Sequence, residues 1–253
     1  MSLLRRILAV VWLLLATSIA FGQAEIRLAT LNCYWFFNGQ EGKADIDKPR
    51  TTVEFNTKAG HLIGLLPGEA PLFVGFEEIG GGEDLAALAK SATARYHHPY
   101  VTLFARGKDT STGQNVGAIF DTSSGWGVYG KASRVSDLER ELTKHLVVRL
   151  TNAVTAMDIC VVHLRRPIGA DGIEKQKDQC RALLRWAMRH LAGNPKANLV
   201  ILGDFNEGQP VGSDRQSLAP VFQSKPPMVD ALSTLSGKIS THTDGKAYDR
   251  ILV

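Results

Sequence analysis

The sequence predicts an α/β protein, a four-layer sandwich of two mixed β-sheets with helices on the outer faces. Short apolar strand-like runs recur along the chain, and amphipathic helical segments are interspersed among them rather than gathered at one end. The runs are numerous enough for two sheets. At 253 residues and 44% apolar content the chain can bury one large core, with no internal repeat or low-complexity stretch that would require a second domain.

The first segment stands apart from that body. Arg5 and Arg6 precede an unbroken apolar run over 7–15 that continues weakly to Phe21, and Gly22 and Ala24 have the spacing of a cleavage site. Residues 1–24 are therefore expected to be a signal peptide, with the folded domain over 25–253 and a secreted or periplasmic location. The alternative is an N-terminal membrane tether, although the run falls short of the roughly 20 residues of a bilayer span. No later stretch approaches that length, so no stable membrane span is expected after processing.

The elements then follow in order. Residues 25–37 alternate and end in aromatics, as a buried strand does. Val53, Ala59, Leu62, Ile63 and Leu66 give helical spacing over 51–66, closed by Pro67-Gly68. A short apolar run over 72–76 reads as a strand, followed by a loop at Gly80-Gly81-Gly82 and a helix over 83–94. Strand signals recur at 100–105, 116–120, 146–150 and 157–163, between loops rich in Gly, Ser, Thr and Asp. The longest amphipathic helix spans about 172–191, with Leu183, Leu184, Ala187, Met188 and Leu191 on its apolar side, and Gly193-Asn194-Pro195 stops it. Residues 198–202 form a short buried strand, and 247–253 open another.

Charge and cysteine content exclude some functions. Without Arg5 and Arg6 the 29 basic residues become 27, against 25 acidic ones, which is too near neutrality for nucleic-acid binding by global charge. Any phosphate affinity must be local. Cys33, Cys160 and Cys180 are an odd set, so at least one thiol is unpaired, and Cys33 and Cys160 sit in apolar runs as small buried hydrophobes. No Cys/His cluster has zinc-ligand spacing.

Polar residues stand where apolar runs end, at Asn32, Glu78, His163, Asp204 with Asn206, and Asp249. Singly each has a plain structural reading: a strand-end hydrogen bond, an exposed terminus, a satisfied core histidine, an Asx turn, a salt bridge with Arg250. The segment Leu199 to Asn206 is more specific, because a buried strand running into Gly203-Asp204-Phe205-Asn206 puts two polar groups on one side of a tight turn. Arg165, Arg166, Lys175 and Lys177 follow His163 closely, as a phosphate groove or as solvated charge.

Taken in order, these segments resemble the endonuclease/exonuclease/phosphatase superfamily of deoxyribonuclease-like, metal-dependent phosphoesterases, over about 26–253. The resemblance implies that Glu78, helped by Asn32, holds a divalent cation, Mg²⁺ first and Mn²⁺ or Ca²⁺ as alternatives. It implies that Asp204 positions or deprotonates the attacking water, that Asn206 fixes the phosphate, and that His163 donates to a non-bridging oxygen. Where the superfamily pairs that histidine with a carboxylate, the nearest segment here offers Gln114, which would orient the imidazole or contact substrate. Asp249 would pair with the histidine of a C-terminal Ser-Asp-His motif. The chain ends at Val253 without that motif, so the C-terminal strands are expected to be missing, and a fragment shorter by roughly 20–50 residues is expected. The competing expectation is a true truncation without activity. The function expected is hydrolysis of nucleic-acid phosphodiesters, with nucleic acid as partner and Arg165 and Arg166 on the substrate. A sphingomyelinase-like or phosphomonoesterase activity, or an inactive phosphate-binding module, is the alternative.

Overall fold

The computed structural model describes residues 13–14, 26–38, 51–207, 229 and 248–253. The segments expected to form strands do so because they are buried on both faces. Along Phe73–Ile79, Phe73 points between the two sheets while Val74 and Phe76 point outward under helices, and Ile159 and Val161 alternate with Cys160 and Val162 in the same way.

The first sheet contains β1 (Leu13–Leu14), β2 (Arg27–Phe36), β3 (Phe73–Ile79), β4 (Tyr100–Phe104) and β5 (Asn115–Asp121), in the order β1-β2-β3-β5-β4. The second contains β6 (Gly127–Ser133), β7 (His145–Thr151), β8 (Ala156–His163), β9 (Asn198–Asp204) and β10 (Asp249–Leu252), in the order β10-β9-β8-β7-β6. Among the described residues each sheet has a single parallel pair, β2 with β3 and β8 with β9, and antiparallel pairing elsewhere. Both are mixed sheets.

A parallel pair needs a crossover, and helices supply it. α1 (Thr52–Leu65) joins β2 to β3; it starts at a capping box in which Thr51 Oγ1 accepts from Glu54 N at 3.2 Å and Glu54 Oε2 accepts from Thr51 N at 2.9 Å. α4 (Gly169–Gly193) joins β8 to β9. α2 (Gly82–Tyr96) lies beside α1, and the short α3 (Ser136–Glu139) contacts α4. The helices cover the outer faces through two clusters, one around Leu62, Ile63, Leu85 and Leu88, the other around Leu183, Trp186 and Ala187. The third cluster, around Phe73, Leu146, Ile159 and Leu202, lies between the sheets. The architecture is thus helix, sheet, sheet, helix, as the sequence predicts.

One helix face and one strand differ from the sequence expectation, while the buried, unpaired cysteines agree with it. Met188 is exposed on α4, and Trp186, Cys180 and Gln176 are buried on its inner face instead. β6 carries no alternating apolar signal because it is an edge strand with no buried residue. All three cysteines are free and buried. Within the segment 1–24, expected to stand apart from the fold, Leu13–Leu14 are described and pair with β2, an edge that processing after Ala24 would remove; among the described residues no helix is long and apolar enough to cross a membrane.

Candidate functional site

The carboxyl ends of the two parallel pairs meet. Asn32 lies towards the end of β2 and Glu78 towards the end of β3, while His163 and Asp204, the last residues of β8 and β9, are directly paired in register. β10 runs antiparallel to β9 and sets Asp249 opposite Asp204. Both sheets therefore deliver polar side chains to one edge of the sandwich, the usual place for ligands beyond parallel strand ends.

Local distortions aim these side chains. The β3–β5 register shifts between Glu77 and Ile79, and Glu78 has φ 58°, so a bulge turns its side chain toward the cleft. The β2–β3 register shifts between Asn32 and Phe36, where Tyr34 and Trp35 have φ 48° and 56°. Left-handed backbone at such residues costs of order 1–3 kcal/mol each and persists where surrounding contacts impose it. Here Tyr34 N donates to Asn32 Oδ1 at 2.9 Å, Trp35 N donates to Glu78 Oε2 at 3.1 Å, and Lys58 Nζ donates to both carbonyls. Gly203 serves the same end on β9. Its φ is 139°, and a Cβ there would stand 1.9 Å from the Val162 carbonyl oxygen, so only glycine lets β9 turn beside β8.

Asn32 links the carboxylates. Its Nδ2 donates to Glu78 Oε1 at 3.2 Å and to Asp204 Oδ2 at 2.8 Å. Its Oδ1 must face Tyr34 N, which can only donate, so the amide reaches the acids through nitrogen. Asn32, expected to help Glu78 with a cation, thus presents its nitrogen to both acids. Asp204 divides its oxygens, with Oδ1 accepting from Asn206 N at 2.7 Å in an Asx turn and Oδ2 facing Asn32. Asn206 Nδ2 donates to the Leu164 carbonyl at 2.8 Å. His163 Nε2 lies 3.8 Å from Asp204 Oδ2 and 3.9 Å from Glu78 Oε1.

Burial sets the protonation states. It holds the His163 imidazole well below its usual pKa, with the nearby Lys144 ammonium as a second cause, so the ring is neutral near pH 7. Burial raises the Glu78 carboxyl, opposed by the Asn32 hydrogen bond. Glu77, absent from the sequence expectation, is fully buried and pushed well above the carboxylate range by burial and then by Asp249, while Thr30 Oγ1 donates to it at 2.6 Å.

Asn32, Glu78, His163, Asp204, Asn206 and Asp249 all line one cleft of about 750 Å³. Arg165, Arg166 and Lys175 also border it. Lys177 is not among its lining residues and pairs with Glu174 at 2.8 Å. Gln114 lines the cleft but does not orient the imidazole. It accepts from Lys144 Nζ at 3.0 Å, and His163 Nδ1 has no hydrogen-bond partner among the described residues. Sequence reasoning missed Lys144 for lack of a signal, since a lysine at a strand entrance reads as solvated charge.

No family model matches the chain, and no curated protein matches it. Solved structures do. The crystal structure of a humanized D. rerio TDP2 has 15% identity and a TM-score of 0.58, over 90% of this chain and 82% of that one. An endonuclease/exonuclease/phosphatase family protein from Bacteroides thetaiotaomicron has 12% identity and a TM-score of 0.53, over 90% and 82%. The chain has the endonuclease/exonuclease/phosphatase fold. A Bacteroides thetaiotaomicron mannosyl-6-phosphatase of 11% identity is similar as well, with a TM-score of 0.52 over 90% of this chain and 84% of that one.

On this endonuclease/exonuclease/phosphatase fold the two carboxylates of the cluster, Glu78 and Asp204, suit a hard cation. Glu78, His163 and Asp204 each offer a ligand atom, and these atoms lie within 4.8 Å of one another. Burial penalises the negative charge of Glu78, which is the penalty that a bound cation relieves.

Proposed function

We propose that the chain is an exported, Mg²⁺-dependent phosphoesterase that hydrolyses phosphodiesters of nucleic acid by attack of water. The convergence of Asn32, Glu78, His163, Asp204, Asn206 and Asp249 from both sheets into one cleft carries this reading. Acids at its centre with Arg165, Arg166 and Lys175 bordering it suit an anionic ester that reacts beside a cation.

In this reading Glu78 and Asp204 hold the cation, and Asn32 keeps their oxygens together. When bound, the cation neutralises charge on the phosphoryl group and on the leaving oxygen. Asp204 orients the attacking water and takes its proton, with Asp249 beside it. The neutral His163 imidazole donates from Nε2 to a non-bridging oxygen; a ring whose pKa is so depressed is a poor proton acceptor but an adequate neutral donor. Asn206 spends one amide hydrogen on Leu164 and has a second for the phosphate.

The likeness to a mannosyl-6-phosphatase favours a second reading, a phosphomonoesterase with the same centre. Hydrolysis of a single-stranded oligonucleotide, bis(p-nitrophenyl) phosphate and p-nitrophenyl phosphate, each with Mg²⁺ and with EDTA, separates the two. Cleavage of the diesters abolished by EDTA supports the first reading, and preference for the monoester supports the second. Metal-independent cleavage, or a fully active Asp204→Ala variant, overturns both. Export is tested by expressing the full chain and sequencing the N-terminus of the extracytoplasmic product, where processing after Ala24 is expected.

A further inference from the structure

We propose that Lys144 is the anion subsite of the cleft, presenting its ammonium to a non-bridging oxygen of the phosphoryl group under attack. The inference rests on the phosphoesterase reading and names a residue beyond those assigned to it above.

Lys144 lines the cleft at the entrance to β7, and its side chain is 13% exposed. Arg140 and Lys175, which also border the cleft, are 91% and 53% exposed, so Lys144 is by far the more desolvated cation. A buried charge should be fully paired. Among the described residues this ammonium has one close acceptor, Gln114 Oε1 at 3.0 Å, and the Asp109 carboxylate stands farther off at 3.5 Å. Asp109 is shared between Lys144 and its own loop, where it accepts from Ser111 N, Thr112 N and Thr112 Oγ1. With one hydrogen bond to Gln114 and one longer ion pair to Asp109 among the described residues, the three N–H groups retain donor capacity in the cleft that Lys144 lines.

The ammonium also lies within electrostatic reach of the catalytic cluster. It is a cause of the depressed His163 pKa, and Glu78 and Asp204 are among the charges that act on it. Its own pKa is lowered by burial, against the attraction of Asp109.

The backbone that carries Lys144 is fixed on both sides. Thr143 O accepts from Arg134 Nη1 at 2.7 Å and Lys108 N at 2.9 Å, while Glu141 O accepts from Gln179 Nε2 at 3.0 Å. On the other side His145 accepts from Val135 N at 3.0 Å, and Lys144 O accepts from His163 N at 3.3 Å. Gly107 permits this approach, since a Cβ there would lie 2.8 Å from Thr143 O. A donor held this firmly before substrate arrives is what stabilisation of developing phosphoryl charge requires. Gln114 then acts as a positioning residue for Lys144.

The test uses the full chain with Lys144→Met, Lys144→Arg, Lys144→Cys and, as a control on exposed β6, Lys131→Met. Hydrolysis of bis(p-nitrophenyl) phosphate with Mg²⁺ should fall about 10²- to 10³-fold in kcat/KM for Lys144→Met and stay unchanged for the control. Treating Lys144→Cys with 2-bromoethylamine rebuilds an ammonium at the same reach; the native cysteines are buried and should not react. Recovery of about tenfold or more on treatment would exclude a purely structural loss. Calorimetric binding of inorganic phosphate by the same variants requires no turnover. Binding about tenfold weaker in Lys144→Met supports the subsite even if no ester is cleaved, which would refute only the enzymatic reading. Unchanged phosphate binding, or an active wild type whose Lys144→Met variant stays within threefold, overturns the proposal.

Discussion

Asn32 and Asp204 are 172 residues apart in sequence and joined by a hydrogen bond of 2.8 Å, which ties the first sheet to the second at the edge where the cleft opens. The same amide group reaches Glu78 at 3.2 Å, so one neutral side chain keeps two acids from separate sheets at a fixed distance. Asn32→Ala removes both bonds and leaves the carboxylates to repel each other. Hydrogen bonds to charged groups contribute about 1.5–3 kcal/mol, so kcat/KM on a phosphodiester should fall by about 10- to 100-fold. Steady-state kinetics at saturating Mg²⁺ would check this, and a variant within twofold of wild type would refute the bridging role.

Cation binding should stabilise the native state without any substrate. Thermal unfolding followed with increasing Mg²⁺ should show a rising Tm for the wild type, because a ligand bound only by the folded form at a hundred times its Kd adds about 2.7 kcal/mol. Glu78→Gln should flatten that rise. An equal rise in both proteins would place the cation elsewhere.

His145 is buried against the α3 end of the second sheet, with Nδ1 donating to the Leu142 carbonyl at 3.1 Å and Nε2 accepting from Val135 N at 3.0 Å. Burial, with Arg134 as a lesser cause, lowers its pKa to about 4. The folded protein thus binds a proton less readily than the unfolded chain, and the stability this residue contributes is intact above about pH 6.5 and lost as pH falls towards 4. Complete passage through that window costs about 3 kcal/mol. Urea unfolding at pH 7 and pH 4.5 should show a steeper loss for the wild type than for His145→Gln, whose amide can serve both partners. Parallel pH profiles would contradict the assignment.

Gly203→Ala places a methyl group against the Val162 carbonyl in a backbone conformation that L residues rarely adopt. A loss of about 4 kcal/mol or more is expected, with failure to accumulate as folded protein. Denaturation or soluble yield reads the effect; a variant as stable as wild type would show that β9 can turn without glycine.

Much of the sandwich was legible in the sequence because its central strands are buried on both faces. The runs over 159–162 and 199–202, which lead to His163 and Asp204, have no polar interruption, and β2 and β3 are nearly as plain. The spacing of Ala59, Leu62 and Ile63, which are buried on one face, made α1 visible as well. β6 was not legible, since an exposed edge strand has no core to set its alternation. The six polar residues that meet in the cleft could be picked out because a polar group at the end of a buried run stands out against its neighbours. Lys144 and Asp109 could not, because a charged residue in a polar loop shows its burial only once loops distant in sequence close over it. The orientation of Asn32 was equally hidden, being decided by two left-handed residues, Tyr34 and Trp35, that carry no sequence mark.

The apolar layer between the sheets has a role beyond cohesion. Since each sheet carries part of the polar cluster, any slip of one sheet across Phe73, Ile159 and Leu202 changes the spacing of Glu78 from Asp204 directly. The greasy interior therefore acts as the spacer of the candidate site, and a shaved core side chain far from the cleft would blur the alignment of groups it never touches.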